Sequence, residues 1–89
     1  MFKVTSDRKR RVGVILTLEG RLTAAWVDEF DRAVAGAMSD GSWLILNLDG
    51  LSFTDDRGAA VIRGAVNRGA RVAGGSEFIR ALIEQERAQ

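Results

Sequence analysis

Trp43-Leu44-Ile45-Leu46-Asn47-Leu48 is an almost unbroken apolar run, the pattern of a central strand in a parallel sheet. Downstream, Asp49 to Asp56 reads as a loop. Arg57 to Asn67 then carries Ala60, Val61, Ile62 and Ala65 in an apolar stripe that predicts a short helix ended by Gly69. A brief strand, Ala70 to Ala73, leads into Gly74-Gly75 and a last helix with Ser76 as N-cap, in which Phe78, Ile79, Leu82 and Ile83 share a face. Upstream, Ser39-Asp40-Gly41 stops a helix predicted over Ala24 to Met38. Thr23 is its N-cap, Asp28 and Glu29 lie near its positive end, and Val27, Phe30, Val34 and Met38 fall at helical spacing. Before that, Val12, Val14, Leu16 and Leu18 alternate, Ser6 to Arg11 is a polar basic turn, and Phe2 to Thr5 is a short edge strand. Together these predict an N-terminal hairpin ending at Glu19-Gly20.

The resulting order is β-β-α-β-α-β-α: an α/β fold with a mixed four-stranded sheet, an antiparallel hairpin at its N-terminal edge and helices mainly on one face. Right-handed crossovers impose that one-sidedness when strand order follows chain order. If Ile15, Trp43 and Ile45 share the uncovered face, they form an apolar patch that a partner, or a second copy in a homodimer, could cover. The alternative is that Trp43 simply lies under a loop or a terminus.

At 89 residues the chain makes one domain, 1–89, with a single two-layer core. Its 46% hydrophobic and 28% charged residues are those of an ordinary globular protein, and no apolar run approaches the ~20 residues of a membrane-spanning helix. The absence of Cys and His removes disulfides, thiol chemistry, Cys/His zinc sites and His-based triads or dyads. A net charge of +1 gives no global field for nucleic acid. These features predict a cytoplasmic binding module without catalytic residues, metal or cofactor.

Asn47-Leu48-Asp49-Gly50-Leu51-Ser52-Phe53-Thr54-Asp55-Asp56-Arg57-Gly58 is the chemically informative stretch. It joins the carboxyl end of the central strand to a helix start, where open α/β sheets usually present their sites. Carboxylates are favoured at that helix end, so Asp55 reads equally as a plain N-cap. Gathered at one strand end, Asp49, Asp55 and Asp56 would also suit a Mg²⁺-assisted aspartyl phosphorylation site. Against that stand the short chain and the placement of its only lysines, Lys3 and Lys9, in the N-terminal hairpin.

Leu18-Glu19-Gly20-Arg21-Leu22-Thr23 resembles the strand-end motif L-x-G-x-L-[DT] of STAS domains, the fold of anti-sigma factor antagonists and of the cytoplasmic tails of anion transporters. Leu46 to Gly58 resembles the same family's L-D-L-S-G-V-x-F-I-D-S-[ST]-G, and the element order agrees nearly end to end. The resemblance implies a non-catalytic regulatory module that binds a protein partner through Ser52, Thr54, Asp55, Asp56, Arg57 and Gly58. The implied partner is an anti-sigma kinase or related regulatory ATPase. A second implied role is that of a small STAS subunit of a membrane lipid-transport ATPase.

The chain departs from the family pattern at the switch itself. Asp56 stands at the usual phosphoacceptor position, and Arg57 replaces the small hydroxyl residue that follows. Phosphoserine carries about −1.5 to −2 charges and aspartate one, so Asp56 would imitate the phosphorylated state partly and permanently. Either the module is locked in one binding state, or switching is lost and only the docking surface remains. Ser52 and Thr54 are the substitute phosphoacceptor candidates. Elsewhere, Arg8-Lys9-Arg10-Arg11 reads first as a solvated turn; an acidic partner, anionic lipid headgroups and RNA are its other readings. Gly74-Gly75 reads as a strand-to-helix turn, with an anion cradle as its alternative.

Overall fold

Alternation and helical periodicity build seven elements in the computed structural model, which describes residues 1–39 and 41–84. They are β1 (Phe2–Lys9), β2 (Gly13–Leu22), α1 (Ala24–Met38), β3 (Leu44–Thr54), α2 (Asp56–Asn67), β4 (Arg71–Ala73) and α3 (Glu77–Glu84). The sheet order is β1-β2-β3-β4, with β1 antiparallel to β2 and the other neighbours parallel. The predicted mixed four-stranded α/β sheet is therefore the fold.

Val14, Leu16 and Leu18 of β2 and Leu44, Leu46 and Leu48 of β3 point to one face and are buried. Phe30 and Val34 of α1, Ile62 and Ala65 of α2, and Ile79 and Ile83 of α3 close the core over them. The intervening residues Ile15, Thr17, Ile45 and Asn47 are half-buried on the opposite face, and Trp43 is 62% exposed. Among the described residues no helix covers that face.

Several expectations change. β1 runs to Lys9 instead of Thr5, because an edge hairpin needs only backbone pairing and Ser6, Asp7 and Arg8 pair with Leu16, Ile15 and Val14 despite their polarity. The turn shrinks to Arg10–Val12, so Val12 lies beyond β2 and is 45% exposed. β3 continues through the expected loop to Thr54, since Glu19–Leu22 of β2 offers a partner as far as that residue. Register shifts between Thr17 and Glu19 and between Gly20 and Arg21 each absorb one extra residue of β3, and Gly50 suits the first. A Cβ there would lie 2.9 Å from Glu19 Cγ.

Smaller corrections concern the helices. Thr23 occupies the N-cap position of α1 but makes no side-chain cap, and Asp28 and Glu29 lie past the first turn. α2 starts at Asp56, one residue early, with Ala60 exposed. Phe78 is 55% exposed, leaving Ile79 and Ile83 as the buried residues of α3. Ser76 caps α3 as expected, its Oγ accepting from Ile79 N at 3.1 Å.

Candidate functional site

The carboxyl ends of β2 and β3 and the amino ends of α1 and α2 meet at Asp55. Its Oδ1 accepts from Gly58 N at 2.9 Å, capping α2, and its Oδ2 accepts from Ala24 N at 2.7 Å, capping α1. Its own N–H donates to Leu22 O at 3.1 Å. One half-buried side chain thus satisfies unpaired amides of two helices, doing for α1 what Thr23 was expected to do.

Thr54 and Gly58 lie beneath. Thr54 is 2% exposed and its Oγ1 donates to Asp55 O at 3.1 Å. Gly58 is buried where a Cβ would collide with Thr54 Oγ1 and approach Leu22 Cγ to 2.7 Å. Both were expected on the docking surface. Both are instead buried, which leaves the Thr54 hydroxyl inaccessible from solvent. Ser52 is exposed, its Oγ donating to Gly20 O at 3.0 Å.

Asp56 and Arg57, by contrast, are exposed in the first turn of α2. Near the carboxyl ends of the two strands the Arg21 guanidinium lies 4.6 Å from the Phe53 ring centroid, across the β2–β3 pair. Sequence reading missed this pair, because the bulges that bring position 21 opposite position 53 have no simple signature.

The three aspartates diverge. Asp49 turns to the entry of α3, where its Oδ1 accepts from Gly75 N at 3.0 Å and fills the space a Gly74 side chain would need. The protein's own carboxylate therefore occupies the cradle considered for an external anion. Asp55 faces inward and Asp56 outward, so the convergent Mg²⁺ arrangement does not form, and no other acidic cluster of metal-binding geometry occurs among the described residues. What the site can do chemically is display a fixed negative charge at a helix start, on a rigidly capped frame.

The family model for the STAS domain matches residues 3–83. Among solved structures, the fold resembles an anti-sigma factor antagonist from Mycobacterium paratuberculosis (TM-score 0.77, 8% identity, covering 99% of this chain and 81% of that one). It also resembles the Bacillus cell fate determinant SpoIIAA in its phosphorylated form (TM-score 0.72, 21% identity, 94% and 83% covered). A third likeness is to one part of a longer chain, Mglu, with a TM-score of 0.65 and 23% identity, covering 82% of this chain and 19% of that one. No curated protein matches the sequence. At these identities the structural likenesses speak for the fold, and the family match rests on the sequence over most of its length: the chain belongs to the STAS domain family.

Proposed function

We propose that this STAS domain is a non-catalytic regulatory module that binds another protein through Ser52, Asp56, Arg57 and the exposed start of α2. The observation carrying this reading is the division of labour between adjacent aspartates. Asp55 is consumed by capping, whereas Asp56 is exposed at the position where the family motif has a phosphorylatable hydroxyl. SpoIIAA, a structural neighbour, is known in phosphorylated and unphosphorylated forms. In this chain a permanent single charge takes the place of a reversible one. The partner class that suits such a surface is an anti-sigma kinase or a related regulatory ATPase.

Titration against the cognate anti-sigma kinase tests the reading. Asp56→Arg weakens binding at least about tenfold, roughly 1.4 kcal/mol, and Asp56→Glu retains it, with the melting temperature unchanged in both. Unchanged affinity in Asp56→Arg removes this residue from the interface. Failure to bind any such kinase, with recovery of a membrane transport ATPase from native lysate, assigns the chain to the transport role instead.

A further inference from the structure

We propose that the tip of the β1–β2 hairpin, at the end of the sheet opposite Asp56, is a contact site for the anionic surface of a lipid bilayer. Lys9 and Gly13 form the last pair of the hairpin, and Val12 N donates to Lys9 O at 3.3 Å to close the turn, so Arg10, Arg11 and Val12 form the protruding corner. A side chain at Gly13 would collide with the Trp43 carbonyl, and Val14 N donates to that carbonyl at 2.8 Å. This close approach sets the exposed indole beside the cationic turn. Together they line a shallow cradle of about 480 Å³.

The cradle is braced from below and open outward. Arg8 Nη1 donates to Ser42 Oγ at 3.1 Å, Lys9 Nζ lies 3.3 Å from Asp7, and the Arg71 guanidinium sits 5.9 Å from the Trp43 ring centroid. Arg10 and Arg11 are exposed at the corner, next to Val12 at 45% and Trp43 at 62% exposure. Four consecutive cations in a chain of net charge +1 leave the remainder net negative, so the molecule is electrically polar with this tip as its positive pole.

Arg11 also has φ +69°, the one non-glycine residue with positive φ among those described. It stands at the turn corner where Gly or Asn is usual. Keeping an arginine in a conformation that disfavours it is the kind of local strain found where a side chain is needed for function.

The composition selects the occupant. Cations at phosphate level beside a Trp and a small aliphatic group match the headgroup zone of a bilayer, which needs only a protruding corner to touch it. A single strand of nucleic acid wants successive stacking platforms along a basic track, and here the cradle is lined by one aromatic ring, the Trp43 indole.

The experiment uses the full chain with Trp26→Phe, so that Trp43 alone fluoresces, and vesicles of phosphatidylglycerol or of phosphatidylcholine. Cosedimentation and a blue shift of Trp43 emission are expected with phosphatidylglycerol only, both abolished by high salt. Arg10→Gln with Arg11→Gln weakens binding about fivefold per cation, about 25-fold together, with an unchanged circular dichroism spectrum. Neutralising two exposed cations elsewhere, Arg32→Gln with Arg68→Gln, changes it little. The proposal is overturned by absence of binding, by equal loss in the two double variants, or by tighter binding to a short single-stranded oligonucleotide than to the vesicles.

Discussion

Asp55 and Asp56 are chemically identical neighbours with opposite fates. Both oxygens of Asp55 accept backbone amides, from Ala24 at the start of α1 and from Gly58 at the start of α2. Each cap contributes about 1 kcal/mol, and part of each amide would be left poorly solvated without it. Asp55→Ala is therefore expected to cost about 2–3 kcal/mol in urea unfolding, whereas Asp56→Ala stays within about 0.5 kcal/mol. Equal costs would mean that the charge of Asp56 is also used within the fold, which would weaken its assignment to a partner. From sequence, Asp55 as the cap of α2 was legible, because a carboxylate just before a helical stripe has that use. Its second cap, to α1, was not, since that amide belongs to a residue 31 positions away.

The strands and turns show where pattern reading works and where it runs out. Helix α1 was legible to the residue, since its apolar spacing is unbroken and a turn sequence follows it. The second half of β3 was not: Asp49, Gly50 and Ser52 are turn formers, and only the bulged pairing with Glu19–Leu22 makes them strand. The long β1 was hidden likewise, as its outer half is polar and backbone pairing leaves no mark in composition. The hairpin turn gives a prediction of its own. Arg11 adopts φ +69°, which glycine reaches without steric cost. Arg11→Gly is expected to raise stability by about 0.5–1 kcal/mol, read as a higher urea midpoint, while weakening attachment to phosphatidylglycerol vesicles. A stabilised variant that binds the vesicles as well as the parent would leave the strain without a functional counterpart.

Strand order following chain order dictates that all three helices pack on one side, so the sheet has a covered and an open face. Leu46 and Ile45 are adjacent on the central strand and sample the two environments. Leu46 is fully buried, paired with Leu16 and Val72 and roofed by the helices, whereas Ile45 is half-buried opposite Ile15 and Arg71. Leu46→Ala removes contacts from a closed core and is expected to cost about 2–5 kcal/mol, a large share of the 5–15 kcal/mol typical of a domain. Thermal melting should register this as a drop of about 10 °C or more. Ile45→Ala, losing atoms that already touch solvent, should cost about 1 kcal/mol or less in dilute solution. The comparison also interrogates the open face. If a second copy covers Ile15, Trp43 and Ile45, the melting temperature of the parent rises with protein concentration and Ile45→Ala abolishes that rise, because binding to the folded state alone is what couples stability to concentration. A concentration-independent melt, with the same small penalty at every dilution, leaves the open face of the isolated chain in contact with water.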